Sequence, residues 1–403
     1  MMTGSAIRLF QICCAVFAPR SRAFPLWRLH SPRNCLETVA IVLGGGVCAL
    51  VASAEVSPAQ SLTSSQGTLR VEQMVDGLDI PWGFDFLPDG SVVISQRSGD
   101  LLLLHAEQLL KIKGAPKVAE NGQGGLLDVM VTRDFAKTRR VYLSYVKQVG
   151  RGSATAVAVA QLSRRNTVLQ GLRDIFVAAP ATTSGRHFGA RLAEGPNGRI
   201  FVSLGDRGDR PSAQSLASHN GSILRMNPDG SVPRDNPFFR QKGAQPLIWS
   251  YGHRNPQGLA FGRDGNLWSA EHGARGGDEV NLIKRGANYG WPIISYGRHY
   301  SGLKIGEGTE KAGLEQPHYH WDPSIAPSNL LIYSGKMWPE WQGDLLIGSL
   351  KFDYISRLSG SDLTEVEQLK SDQTGRIRDL HEAPDGSVWF ASETDGALYR
   401  LSR

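Results

Sequence analysis

A histidine stands between two glycines in the segment Ser184-Gly185-Arg186-His187-Phe188-Gly189, directly before a run typical of a β-strand. Imidazole titrates near neutral pH, so this side chain could take a proton from a substrate hydroxyl. A single histidine in a loop is more often simply solvated. His187 alone therefore leaves the question of catalysis open.

Two further segments carry groups that bind or polarise oxygen. Arg254 and Asn255 lie side by side before Pro256, where a planar guanidinium and an amide could contact one ligand. Residues 271–281 and 288–292 supply carboxylates and glycine-flanked carbonyls, the oxygen ligands that calcium prefers. Their spacing does not match the helix–loop–helix calcium motif. A structural Arg–Asn corner and an ordinary polar turn therefore remain open alternatives.

Three cations follow towards the C-terminus, at Lys351, Arg376 and Arg378. The Arg-x-Arg spacing on a strand would put both arginines on one face, where they could hold an anion. Cations at such positions most often face solvent, so surface charge is the competing interpretation.

The elements that would position these groups form a repeated pattern after residue 67. An apolar segment, a turn such as Asp89-Gly90, and a second apolar run recur from near residues 82, 126, 192, 258, 330 and 378. Each Asp-Gly or Asn-Gly between apolar runs is a hairpin signal. We therefore predict an all-β fold over residues 68–403, a six-bladed β-propeller of four-stranded antiparallel blades. A pair of β-sandwiches is the alternative.

The first 54 residues have the features of an export signal. An arginine-bearing stretch precedes an apolar run from Thr38 to Val51, and Ala52-Ser53-Ala54 fits a cleavage site. The apolar run is short and rich in glycine, so we expect no stable membrane span in the mature form, with an uncleaved anchor as the alternative. Residues 55–67 are predicted to be a linker. The expected location is periplasmic or secreted.

Charge and cysteine content exclude two classes of protein. The net charge of +6 comes largely from the N-terminus, which holds five of the 44 basic residues but one of the 38 acidic ones. The remainder shows no basic stripe, so we expect no nucleic-acid partner. All four cysteines precede residue 55, which excludes a disulfide framework or a cysteine metal site in the predicted propeller.

Taken together, these segments resemble the soluble, pyrroloquinoline-quinone-dependent aldose sugar dehydrogenases, which are close to the soluble glucose dehydrogenases. The resemblance runs from about residue 70 to the C-terminus, and its motifs occur in the same order and at similar spacing. The motifs are Gly122–Leu127, Arg186-His187, His253–Gly258, Glu271–Asn281, Asn288–Pro292, Ser349–Lys351 and Arg376–Asp379.

The resemblance implies an oxidoreductase that oxidises the C1 hydroxyl of aldoses to the lactone by hydride transfer to pyrroloquinoline quinone (PQQ), with Ca²⁺ as second cofactor. His187 would be the base and Arg254 would stabilise charge developing on oxygen. Cofactor-binding positions carried over are Gln123, Arg254, Asn255, Tyr300, Lys351, Arg376 and Arg378. Calcium positions carried over are Gly273 and Ala274 beside the quinone, and Glu279 and Tyr289 at a second, structural site.

Two positions depart from the family pattern. Arg186 stands where glucose-specialised members have an acid, which favours a broader aldose dehydrogenase. Ala274 replaces an expected proline, which a carbonyl ligand should tolerate. The expected partners are an aldose and an electron acceptor, either a quinone or a cytochrome. Two other functions stay open: a calcium-dependent sugar lactonase, and a propeller binding module that has lost catalysis.

Overall fold

The structure, a computed structural model, describes residues 60–403 as six antiparallel sheets. The first strand of each sheet packs against the first strands of the neighbouring sheets, so these six strands surround a common axis. The predicted six-bladed propeller is confirmed. The predicted signal peptide, residues 1–54, lies outside the described residues.

Blades 1 to 5 each contain four consecutive strands. Blade 1 comprises β3 (Pro81–Phe86), β4 (Val92–Gln96), β5 (Leu101–His105) and β6 (Gln108–Ile112). Blade 2 comprises β7 (Leu126–Val131), β8 (Arg140–Val149), β9 (Gly152–Leu162) and β10 (Leu169–Val177). Blade 3 comprises β11 (Leu192–Glu194), β12 (Ile200–Leu204), β13 (Ser222–Met226) and β14 (Ile248–Tyr251). Blade 4 comprises β15 (Pro256–Phe261), β16 (Leu267–Glu271), β17 (Asp278–Ile283) and β18 (Tyr319–Trp321). Blade 5 comprises β19 (Pro327–Ile332), β20 (Leu345–Ser349), β21 (Ile355–Ser359) and β22 (Thr364–Leu369).

Blade 6 closes the ring by joining the two ends of the described chain. Its strands are β23 (Ile377–Glu382), β24 (Val388–Ser392), β25 (Ala397–Ser402), β2 (Gly67–Val75) and β1 (Gln60–Ser64). β2 pairs with β25, and β1 adds a fifth strand outside β2. Part of the segment predicted to be a linker is therefore an edge strand, because residues 60–64 pair with β2.

Helical structure is sparse within residues 60–403. It consists of one four-residue helix, α1 (Phe135–Thr138), and two 3-10 turns, Arg210–Gln214 and Pro339–Trp341. No helix in this part of the chain has both the length and the apolar composition that crossing a bilayer needs.

The blades pack through alternating apolar residues that interleave between neighbouring sheets. Phe84 and Phe390, for example, are fully buried, and burying such a ring contributes about 1.5–3 kcal/mol. The tight turns between first and second strands use left-handed glycines as predicted, with φ of 84° at Gly90 and 90° at Gly386.

Buried charges also tie the inner strands together. Asp128 in blade 2 accepts hydrogen bonds from the Arg191 guanidinium (2.9 Å) and the Leu192 N–H (2.7 Å) in blade 3. Asp379 in blade 6 lies 3.1 Å from Arg191 and accepts from the Phe84 N–H in blade 1 at 2.9 Å. Each carboxylate therefore links its own blade to others around the axis.

The topology puts two segments of every blade on one face of the propeller. The segment before the first strand and the loop between the second and third strands lie at this end, because successive strands are antiparallel. The Asp-Gly turns lie at the opposite end. We call the first end the loop face.

Candidate active site

A cavity of about 1260 Å³ opens at the loop face, and all six blades contribute to its lining. Most of the residues predicted for the site line it. These are Gln123, His187, Arg254, Asn255, Gly273, Ala274, Tyr300, Lys351, Arg376 and Arg378. The lining carries seven cationic side chains and three acidic ones, so an anionic ligand would be favoured there.

Irregular strand pairing shapes the floor of this cavity. In five of the six first strands the pairing register shifts next to the loop face, as between Pro81 and Gly83 and between Ile377 and Asp379. A β-bulge turns an extra side chain away from the regular pleat. Trp82 and Arg378, which lie within two of these shifts, line the cavity.

His187 is held by its backbone and by its ring. Its φ of 54° is left-handed, an uncommon conformation outside glycine, and its N–H donates to the Gln123 Oε1 at 2.7 Å. The ring Nδ1 lies 2.6 Å from Oδ1 of Asp206, a fully buried carboxylate. With Nδ1–H donated to Asp206, Nε2 of the neutral ring remains available as a proton acceptor.

The surroundings of this pair set its charge state. Burial lowers the pKa of His187 below 6.5, while the hydrogen bond to Asp206 opposes this effect. Burial acts to raise the pKa of Asp206, but the hydrogen bonds from His187, Gly208 and Trp291 outweigh it, so the pKa lies below 3.8. At neutral pH the pair is therefore a neutral imidazole beside a carboxylate.

Asp206 is a site residue that the sequence analysis missed. It directly follows β12, in the loop between the second and third strands of blade 3. Besides His187, it accepts hydrogen bonds from the Gly208 N–H (2.7 Å) and the Trp291 Nε1–H (2.8 Å). The available signal was its place in the repeat, since the same loop of blade 4, residues 272–277, lies within the segment 271–281 that the sequence analysis singled out.

Arg254 and Asn255 enter the cavity together from the start of blade 4. The backbone N–H of Arg254 donates to Glu271 (2.8 Å) and its guanidinium to the His272 carbonyl (3.3 Å). Its buried Nε has no partner within the described residues. Asn255 Oδ1 accepts from the Gly189 N–H at 3.2 Å. Arg254 therefore retains an unused donor at the site.

Arg376 and Arg378 converge on one acid, Glu393, which the sequence analysis also missed. The guanidiniums lie 3.3 Å and 3.1 Å from Glu393 Oε2. Burial lowers the pKa of Arg378, and the Glu393 carboxylate opposes that effect. The Nε of Arg378 has no hydrogen-bond partner within residues 60–403. Lys351 is exposed at the rim. The single carboxylate of Glu393 thus neutralises only part of the charge of the two guanidiniums. The remaining positive charge is available to an anionic ligand.

The predicted calcium positions fall in two places. Gly273 and Ala274 line the cavity, whereas Glu279 and Tyr289 do not. The Tyr289 hydroxyl donates to the Leu282 carbonyl (2.5 Å) and accepts from the Lys284 N–H (2.8 Å), so it is already paired.

Glu279 belongs to a cluster of oxygen atoms behind the cavity. Burial and the neighbouring Glu271 raise the pKa of Glu279 to about 8. The Asn281 amide nitrogen donates to both carboxylates at 3.1 Å, but its buried Oδ1 has no partner among the described residues. Within residues 60–403, no three His, Cys, Asp or Glu side chains are arranged to hold a metal ion. A cation here would therefore need amide, carbonyl or water oxygens as well.

The chain is similar over most of its length to proteins of a known family. The family described as glucose/sorbosone dehydrogenase matches residues 78–400. The chain is 41% identical over 352 residues to the aldose sugar dehydrogenase YliI of Escherichia coli (strain K12), covering 85% of this chain and 95% of that protein. The crystal structure of the soluble aldose sugar dehydrogenase from Escherichia coli, in the apo-form, matches with a TM-score of 0.80 at 39% identity, over 83% of this chain and 99% of that one. The PQQ-bound form of the aldose sugar dehydrogenase from Streptomyces coelicolor matches with a TM-score of 0.69 at 26% identity, over 86% and 99%. The chain therefore belongs to the glucose/sorbosone dehydrogenase family.

Proposed function

We propose that this protein is a PQQ-dependent aldose sugar dehydrogenase that oxidises the C1 hydroxyl of aldoses to the lactone. The single observation that carries the proposal is the His187–Asp206 pair, which faces a cation-lined cavity. The relatives named as aldose sugar dehydrogenases and the PQQ-bound form of one of them support the same assignment.

In this proposal His187 Nε2 accepts the proton of the C1 hydroxyl. The Asp206 carboxylate holds the ring through Nδ1 and stabilises the imidazolium that forms. Arg254 lies in the same cavity and stabilises negative charge that develops on oxygen. PQQ, when bound, would supply the chemistry that side chains lack, as the acceptor of the hydride from C1.

The residues present fit a tricarboxylated quinone. Lys351, Arg376 and Arg378 lie in adjacent blades and would hold its carboxylates, with Asn255 and Gln123 nearby as polar contacts. The unpartnered buried Nε atoms of Arg254 and Arg378 are further donors that a bound anion would satisfy. Tyr300, exposed at the rim, would cover the outer side of the ligand.

The residues also fit calcium at two places. Backbone carbonyls of Gly273 and Ala274 would hold an ion at the cavity, where it would polarise an oxygen of the cofactor. Glu279, together with the backbone near Tyr289, would hold a second, structural ion. The raised pKa of Glu279 and the unpartnered Asn281 Oδ1 support that site, because a cation would relieve both.

A calcium-dependent lactonase fits less well. Such an enzyme needs a metal-bound water held by side-chain carboxylates. The cavity instead has more cations than acids in its lining. A binding module would have no use for the His187–Asp206 pair.

Reconstitution tests the proposed function. Apoprotein supplied with PQQ and Ca²⁺ should reduce a redox dye when given aldoses, and His187→Ala should lower kcat by about 10²–10⁴-fold while still binding PQQ. His320→Ala, at an exposed position in blade 4, is the matched control and should keep wild-type turnover. Near-normal kcat in His187→Ala would refute the proton-transfer role.

We also propose that the mature chain begins near Glu55 and lies outside the cytoplasm, on the strength of the apolar run and Ala52-Ser53-Ala54. Mass spectrometry of the protein from fractionated cells tests this. A cytoplasmic form that retains residues 1–54 would contradict it.

A further inference from the structure

A small ribbon, made of three loop segments joined by single β-bridges, lies at the mouth of the cavity. Residues 284–318 connect β17 to β18, and part of this connection pairs with the β16–β17 loop. Arg298 forms antiparallel bridges with Arg275 on one side and with Lys304 on the other. The N–H groups of Arg275 and Arg298 donate to each other's carbonyls at 3.0 and 3.2 Å.

The three bridged residues are all cations and lie in one row. Bridge partners in an antiparallel ladder place their side chains on the same face, so Arg275, Arg298 and Lys304 share a face of the ribbon. Arg275 and Arg298 line the cavity, which identifies this face as the one beside the mouth. We call these three residues the cation row.

The cation row has no acidic counterpart. Within residues 60–403, no carboxylate forms an ion pair with any of the three. The Lys304 ammonium donates to the backbone carbonyl of Glu307 at 2.6 Å, and the Glu307 carboxylate is paired with Lys311 instead. Asp322, an exposed acid in the same lining, is not paired with them either. Like charges directly opposite in a ladder are destabilising. A ligand that brings negative charge would offset this cost.

Apolar surface adjoins the row. The tip of the ribbon carries Tyr300 and Leu303, with 74% and 69% of their surface exposed, more than any other large hydrophobic side chain in the described part of the chain. An exposed apolar pair beside unpaired cations is typical of a contact surface for another macromolecule. A neutral sugar would need neither feature.

The position of this surface indicates which macromolecule would use it. If the proposed function holds, each turnover leaves two electrons at the cavity, and an acceptor must come close to the mouth to remove them. Electron-transfer encounters use small contact areas, and opposite charge speeds them.

We propose that the cation row, with Leu303, is the docking surface for a small acidic redox protein, two molecules of which each take one electron from the reduced enzyme while two protons pass to solvent. The inference rests on the proposed function. It goes beyond that function by selecting a protein acceptor with an acidic face over an uncharged quinone.

The test separates the two half-reactions of the reconstituted holoenzyme. Stopped-flow absorbance first follows reduction of the bound cofactor by glucose without any acceptor. Reoxidation is then followed with an acidic soluble monohaem cytochrome, with a basic cytochrome, and with an uncharged water-soluble benzoquinone. The variants are Lys304→Glu, which reverses the exposed member of the cation row that does not line the cavity, and Leu303→Ser.

Two matched control variants make the same kinds of substitution, a charge reversal and an apolar-to-serine change, outside the proposed docking surface. Arg263→Glu reverses an exposed cation in the β15–β16 turn, at the end opposite the loop face. Val366→Ser removes a half-exposed apolar side chain from the outer strand of blade 5. Each control should react like the wild type with all three acceptors.

We expect Lys304→Glu to slow reoxidation by the acidic cytochrome about tenfold or more at low ionic strength, with the difference shrinking as salt is added. Leu303→Ser should slow the same step without changing its salt dependence. Reduction by glucose and reoxidation by the benzoquinone should not change.

Three results overturn the docking inference. The first is an unchanged rate of reoxidation of the charge-reversed variant by the acidic cytochrome. The second is a wild-type enzyme that reacts faster with the basic cytochrome than with the acidic one. The third is a loss of kcat/KM in the charge-reversed variant for an aldose bearing a carboxylate that equals its loss of rate with the acidic cytochrome. The last would assign the row to substrate binding. If glucose and other aldoses fail to reduce the wild-type holoenzyme, the proposed function fails first, and the two failures are distinguishable.

Discussion

Replacing Asp206 by Asn tests how the chain prepares His187 for proton transfer. The substitution keeps the size of the side chain but removes its charge. In the wild type one carboxylate oxygen faces His187 Nδ1 at 2.6 Å, and the group also accepts from Gly208 and Trp291. An amide cannot satisfy all three donors and cannot stabilise an imidazolium as a carboxylate does.

The expected size of the effect follows from this contact. A hydrogen bond to a charged group contributes about 1.5–3 kcal/mol. Losing it should lower the pKa of His187, because the imidazolium would no longer be stabilised by a carboxylate. If proton transfer limits turnover, the same energy lost in the transition state should lower kcat about 10- to 150-fold.

The pH profile of kcat/KM shows in which direction the pKa of His187 moves. His187 must be neutral to act as a base, so wild-type kcat/KM should fall as pH drops through a pKa that burial already holds below 6.5. Asp206 raises that pKa, so Asp206→Asn should move this acid limb to lower pH while reducing the plateau. Steady-state dye reduction from pH 4.5 to 8 measures both. An acid limb that stays in place or moves to higher pH would refute the reasoning.

Asp209→Asn is the matched control, because Asp209 is an exposed acid in the same loop. The pH profile of kcat/KM in Asp209→Asn should match that of the wild type. Titration with PQQ should show that Asp206→Asn still binds the cofactor, which keeps a binding defect apart from a proton-transfer defect.

Three further outcomes are expected. Replacing Arg376 and Arg378 together by Ala should weaken PQQ affinity by about 10²-fold or more, because each charged hydrogen bond is worth about 1.5–3 kcal/mol, and fluorescence titration of apoprotein measures it. Dialysis of the holoenzyme against a chelator should abolish dye reduction, and added Ca²⁺ should restore it. Glu279→Gln removes a proposed calcium ligand and should therefore raise the Ca²⁺ concentration needed to stabilise the protein against thermal unfolding. Asp379→Ala should lower the free energy of unfolding by about 3–5 kcal/mol in urea, since it leaves Arg191 and the Phe84 N–H short of a buried partner.

Each of these has a contradicting result. Unchanged PQQ affinity in the double variant would mean that the cofactor lies elsewhere. Activity that survives exhaustive chelation would argue against calcium. The control is Asp372→Ala, at an exposed acid in the connection between blades 5 and 6. If Asp379→Ala lowers the free energy of unfolding no more than this control does, the inner-strand carboxylates contribute little.

The fold was predictable because its signals are local. Hairpin turns such as Asp89-Gly90 and Asp385-Gly386 depend on a glycine with positive φ, and the blade starts inferred near 82, 126, 192, 258, 330 and 378 lie within a few residues of the observed first strands. The pairing of β2 with β25 joins residues more than 300 positions apart. No local pattern marks such a contact, so β1 could be mistaken for linker.

The site was predictable only in part. Motif resemblance located His187, Arg254 and the cations, which lie together in the cavity. Asp206 and Glu393 escaped because nothing in their own sequence neighbourhood distinguishes a buried carboxylate beside a histidine or arginine from a solvated one. Their roles come from contacts between segments, 19 positions apart for His187 and Asp206.

Topology explains why such unrelated segments meet. Gln123, His187 and Arg254 each precede the first strand of their blades, while Asp206 and Glu393 each follow a second strand. Antiparallel order brings both kinds of segment to the loop face, so every repeat offers two fixed positions for a functional side chain. The inner strands below them are fixed independently, by carboxylates such as Asp128 and Asp379 around Arg191. A loop-face residue can therefore change without disturbing the ring. We therefore expect specificity for sugar and acceptor to be set by loops on which the stability of the ring does not depend.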